Sequence, residues 1–169
     1  MTMSNRGIQT LLIAGSILAA AAIARADSVG ARMDVTATVI VNCRLVVPPL
    51  SFGSYDPLAA NAAQPADASA TVTVTCTRNT NAALSFDFGL HPSGTSDRAM
   101  KGPGPETLRY QIYRDPARSQ LWGQGGDAMR MLSKGIAQPE QLTVFGRIPP
   151  QQEIEPGVYN DVLTAAVDF

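Results

Sequence analysis

Alternation of apolar and mostly polar residues at both ends of the chain constrains its fold more than any other feature. From Val29 every second residue is apolar, through Ala31, Met33, Val35, Ala37, Val39, Val41 and Cys43, the period-two pattern of a half-buried strand. Tyr159, Leu163, Ala165, Val167 and Phe169 likewise share a face opposite Asn160, Thr164 and Asp168. Extended, the first run would reach about 50 Å, whereas a typical strand covers about 17–20 Å. The economical reading gives its C-terminal half to the chain's own sheet and its N-terminal half to completing another molecule's. The last strand stops at Phe169, with no following strand to cover one of its edges. Exposed edges invite pairing, and Asp27 to about Thr36 has the length and alternation of a donated strand.

The first 26 residues read as a secretion signal: Arg6 supplies the positive region, Ile8 to Ile23 the apolar stretch, and Ala24-Arg25-Ala26 the cleavage motif before Asp27. The apolar stretch is short for a spanning helix and has no charged stop-transfer flank, so no stable membrane insertion is expected. The domain boundaries that follow are 1–26 for the signal, 27–36 for an N-terminal extension and 37–169 for one folded domain. Of the 13 Lys and Arg residues, Arg6 and Arg25 precede the cleavage point, so 11 face 14 acidic residues, a net charge of −3. That balance leaves no electrostatic footprint for nucleic acid. Cys43 and Cys76, the only cysteines, lie in the exported part, where a disulfide is the default; each falls on the apolar face of an alternating run.

Along the chain, Pro48-Pro49 breaks the first run, 50–55 reads as a short edge piece, and 56–69 as a surface loop. Strand signals return at 70–77, with Val72, Val74 and Cys76 inward. They recur at 84–88, with Leu84, Phe86 and Phe88 inward, at 108–112, with Leu108, Tyr110 and Ile112 inward, and at 142–148. Residues 128–136 fit a strand or a short helix. Six or seven short strands between Gly/Pro turns predict an all-β, antiparallel sandwich. Trp122 follows both cysteines, so the antibody order Cys-Trp-Cys is absent and the likeness to immunoglobulin domains is architectural.

An enzyme reading fails on inventory. His91 is the only histidine and sits in a turn sequence, which removes multi-histidine metal sites and leaves a catalytic triad one candidate base. Glu153 and Glu155 lie in a Gln/Pro loop, where a solvated acidic rim is the simpler role than a carboxylate pair. Gly123, Gly125 and Gly126 lack the order of a phosphate cradle. Trp122, Tyr110 and Tyr113 are better used filling the core than stacking a sugar. No catalytic residue, cofactor or metal is expected.

Several segments carry a resemblance: Thr38-Val-Ile-Val-Asn-Cys43, Phe52-Gly-Ser-Tyr55, Val72-Thr-Val-Thr-Cys-Thr77, Arg98-Ala-Met100, Leu108-Arg-Tyr-Gln-Ile-Tyr-Arg-Asp115, Leu121-Trp-Gly123, Val144-Phe-Gly-Arg-Ile148, Pro156-Gly-Val-Tyr-Asn-Asp161 and the terminal Val167-Asp-Phe169. In this order they resemble the spore coat protein U domain family, which includes subunits of archaic chaperone-usher pili. The resemblance implies an incomplete immunoglobulin-like sandwich completed by a donated strand. It implies a periplasmic chaperone, an outer-membrane usher and neighbouring pilin subunits as partners, and a final place on the cell surface. By position, Val29, Ala31, Met33 and Val35 would be the donor plugs, Leu163, Ala165, Val167 and Phe169 would line the acceptor groove, and the Phe169 carboxylate would anchor the chaperone. Two other outcomes fit the same fold: a coat or extracellular-matrix protein associating laterally, and a secreted binding module whose N-terminal strand fills its own groove.

Overall fold

The computed structural model describes residues 27–92, 94 and 96–169. The signal segment, with the Ala26 side of its cleavage point, lies outside the described residues. The chain divides into residues 1–37 and residues 38–169. In the first part, 27–37 form no strand and their side chains are exposed, Val29, Met33 and Val35 at 99%, 87% and 85%.

The second part builds eight strands among the described residues: β1 (Cys43–Val46), β2 (Ala66–Cys76), β3 (Asn81–Phe86), β4 (Arg98–Lys101), β5 (Thr107–Tyr113), β6 (Met129–Leu132), β7 (Glu140–Ile148) and β8 (Ala165–Asp168). The only helical element there is a 3-10 turn at Gly125–Asp127. One sheet has the order β1-β2-β7-β5-β4 and the other β6-β3-β8. Every ladder is antiparallel.

The sheets close on a core in which Val72, Val74, Cys76, Leu108, Tyr110, Ile112 and Val144 from the large sheet face Leu84 and Phe86 from the small one. Alternation places them there, since a pleated strand presents every second residue to one side. Trp122 is fully buried; its ring meets Phe86 edge-on at 5.3 Å, and its indole N–H donates to the Leu84 carbonyl at 2.9 Å. The β2–β7 ladder, from Ala66↔Ile148 to Val74↔Glu140, is the spine of the large sheet. On its outer side Arg147 grips Asp67 through two hydrogen bonds of 2.8 Å.

Four expectations need correction. The first run is not a strand of the chain's own sheet before Cys43. Cys43 pairs with Cys76, and one residue beyond, Thr77 N–H donates to the Asn42 carbonyl. The partner strand then turns through Asn79, at φ 61°, so residues 38–41 have no ladder to join and Val39 and Ile40 are exposed. Second, the loop ends at 65: Ala66 to Ser69 pair with β7, a strand its small side chains did not announce because the partner, not propensity, supplies it. Third, 50–55 form no strand, although Leu50, Phe52 and Tyr55 pack on the core. Gly146 makes room for them, since a Cβ there would meet the Phe52 ring at 2.7 Å and Leu50 at 2.8 Å. Fourth, the strand at 84–88 ends at Phe86, and Ser85, opposite the inward Leu84 and Phe86, is buried as well; its hydroxyl donates to the Ala166 carbonyl of the paired β8 at 3.5 Å.

Candidate functional site

The two sheets are unequal, five strands against three. β8 is an edge strand whose only ladder among the described residues is with β3, from Phe86↔Ala165 to Ala83↔Asp168. A cleft of about 400 Å³ lies at the stretch that enters β8; of the predicted groove residues Leu163 lines it, and Ala165, Val167 and Phe169 do not. Large-sheet residues Ala70, Val72, Met100, Tyr110, Ile112 and Val144 and small-sheet residue Phe86 supply its lining, together with two strandless stretches, 47–52 and 159–163. Most of its side chains are apolar, and Tyr110, Tyr159, Asn160 and Asp161 bring polar groups to it.

Polar bonds hold the stretch entering β8 in place. Lys101 and Asn160 exchange backbone hydrogen bonds of 2.9 and 3.0 Å. Asp161 accepts from the Tyr110 hydroxyl at 2.7 Å and from Leu90 N–H at 2.9 Å. Burial, reinforced by that acceptor, pushes the Tyr110 phenol well above its ordinary range. Asp87 accepts from Thr164 N–H at 2.9 Å and Gly89 N–H at 3.1 Å. Desolvation opposes its charge, but these bonds and the nearby Arg98 cation outweigh it and hold the carboxyl below its usual range.

Arg98 organises the end of β3 from inside the fold. It is fully buried and donates to the carbonyls of Phe86, Asp87 and Trp122 and to the Gln111 side chain, while its guanidinium lies 5.0 Å from the Phe88 ring centre. Burial alone depresses its basicity. A charge so enclosed is tolerated because its donors meet carbonyls that would otherwise be unsatisfied.

The sequence-predicted site residues fall into three groups. Leu163, Ala165 and Val167 are half-buried against the core, whereas Phe169 follows the last ladder pair and is 59% exposed. Cys43 and Cys76 are disulfide-bonded, Cα atoms 4.0 Å apart, where β1 begins and β2 ends. Val29, Ala31, Met33 and Val35 lie in the exposed 27–37 segment. His91, Glu153 and Glu155 are exposed, and Tyr110 and Trp122 belong to the core. Sequence reasoning gave Arg98, Asp87 and Asp161 no role: Arg98 and Asp161 stand in segments that carry the family resemblance, and Asp87 reads as an outward residue of a strand.

The Spore Coat Protein U domain matches residues 30–166. Protein U of Myxococcus xanthus is 32% identical over 129 residues, 71% of each chain. Among solved structures, the crystal structure of the CsuC-CsuE chaperone-tip adhesion subunit pre-assembly complex, from archaic chaperone-usher Csu pili of Acinetobacter baumannii, contains a similar chain. It aligns with a TM-score of 0.57 and 25% identity over 78% of this chain. The match spans 40% of that chain's length.

Proposed function

We propose that this chain, which belongs to the Spore Coat Protein U domain family, is an exported structural subunit of a surface fibre whose incomplete immunoglobulin-like sandwich is completed by a strand donated from a neighbouring subunit. The observation that carries this is the cleft, lined mostly by apolar side chains, at the entry to β8, which is an edge strand. A strand laid along that edge satisfies its backbone groups and, through every second side chain, fills the cleft. The exposed, alternating segment 27–36 of the next copy has the chemistry of that strand, with Val29, Ala31, Met33 and Val35 as plugs.

Before assembly the same edge needs a temporary partner. A periplasmic chaperone lending a strand, followed by exchange at an outer-membrane usher, meets that need. The similarity to a chain of a chaperone-subunit complex supports it, and the fibre would serve adhesion or biofilm formation. A second reading, a coat or extracellular-matrix protein of the same fold that associates laterally without donor exchange or an usher, is favoured by the family's name and the Protein U relative.

Changing Met33 and Val35 together to Asp places unpaired charge in an apolar cleft, which costs several kcal/mol. The variant is expected to fold with its chaperone and to form no polymer; polymers at the wild-type level would overturn the assignment.

A further inference from the structure

The two poles of the sandwich differ in charge. Cys43↔Cys76, Val74↔Glu140 and Asn81↔Leu132 place the start of β1, the end of β2, the start of β7 and the end of β6 at one pole. Exposed Arg44, Arg78, Arg130 and Lys134 lie in or next to the strand ends that form it; its acidic groups are Asp168 with the neighbouring Phe169 carboxylate and Glu140, the last 3.4 Å from Lys134. The apolar residues Val39, Ile40, Leu132 and Ile136 are exposed there as well.

Ala66↔Ile148 and Lys101↔Thr107 mark the opposite pole. It holds a second cleft of about 840 Å³ between 50–58 and 154–160, with Leu58 and Val158 exposed at 92% and 77%. Glu106, Glu153 and Glu155 are exposed around it. Glu106 and Glu155 converge so closely that a Cβ on Gly104 would meet one carboxylate at 2.5 Å and the other at 2.9 Å. Of the cations near this pole, the Lys101 ammonium is bonded to the Gly104 and Pro105 carbonyls and Arg118 and Arg147 pair with Asp67, which leaves exposed Arg109 on β5 against the three glutamates.

We infer that the basic, apolar pole of one copy docks on the acidic pole of a second copy, making a head-to-tail contact additional to the donated strand. Self-complementary but different patches make a heterologous contact, which propagates as an open filament. Opposite charge brings the poles together in register and the exposed apolar residues supply the desolvated centre. The contact extends the donor-exchange reading and follows the same direction of growth.

Zero-length carboxyl-to-amine coupling of the full-length mature protein, read by mass spectrometry, tests it. Lys134 linked to Glu106, Glu153 or Glu155 of a second copy is the expected product, distinguished from links within one chain by mixing isotopically light and heavy protein, with the Lys134–Glu140 link as internal control. Changing Arg78 and Arg130 to Glu should lower the intermolecular product at least fivefold, and adding Glu106→Lys and Glu155→Lys should restore intermolecular coupling, now read between the lysines introduced at 106 and 155 and the glutamates introduced at 78 and 130. An internal link without the intermolecular one, or a yield indifferent to both sets of changes, overturns the contact. The donor reading fails separately, if a chain lacking 27–36 polymerises normally.

Discussion

The two margins of the sandwich handle the same alternating pattern in opposite ways. At the β1 margin, Leu45 and Val46 pair with β2, and the Cys43–Cys76 bond fastens the strand where its ladder runs out. At the β8 margin, Leu163, Ala165 and Val167 face the core, the outer edge has no ladder among the described residues, and the approach is held by the hydrogen bonds of Asn160, Asp161 and Thr164 with the packing of Tyr159 and Leu163. Both strands are sheet edges; β1 is fastened to its inner neighbour covalently, β8 by its ladder and polar ties. Alternation therefore encodes which face is apolar; the neighbouring strand decides whether the edge is finished.

The largest effect should come from Arg98, which ties the β3 end near the open margin to Trp122 and β5. Arg98→Ala leaves the Phe86, Asp87 and Trp122 carbonyls without their donor in a buried site, a loss of at least about 3 kcal/mol. Urea unfolding of the chaperone-released subunit measures it; a change under about 1 kcal/mol would mean that water replaces the guanidinium. Next, replacing Cys43 and Cys76 with Ser should cost about 2–4 kcal/mol, since the bond closes a loop across 33 positions. If the comparison of margins holds, β1 frays first, and hydrogen exchange should accelerate at Leu45 and Thr73–Thr75 before β7.

A smaller effect isolates the polar tie at the open margin. The Tyr110 phenol ionises in the folded chain only far above its ordinary range, whereas unfolded tyrosine loses its proton near pH 10. The unfolded state therefore binds fewer protons above that pH, and stability falls as pH rises beyond about 10 while being indifferent to this group below it. Tyr110→Phe should flatten that alkaline decline in thermal unfolding scans. An unchanged decline would assign it to other groups.

Much of the closed region was legible. Val72-Val74-Cys76 and Leu108-Tyr110-Ile112 declare their inward faces by period two, and the structure buries them all. Ala66–Ser69 were not legible, because alanine and serine carry no β signal and β7 alone makes them a strand. The role of Arg98 escaped notice because a charged residue reads as solvated until the carbonyls that enclose it are known. At the candidate site the apolar face of β8 could be read from Leu163, Ala165 and Val167, but not the ties that hold it: Asp87 and Asp161 act across 77 and 51 positions, on Thr164 and Tyr110, a separation that no local pattern reports.

Whether the open margin is completed by another copy's N-terminus is decided by comparing the purified mature protein with a form lacking 27–36, each co-expressed with its periplasmic chaperone and run unheated and heated in SDS. Donor exchange predicts a heat-sensitive ladder from the full-length chain and a single monomer band from the truncated one. A monomer in both, or a ladder that survives truncation, would contradict it.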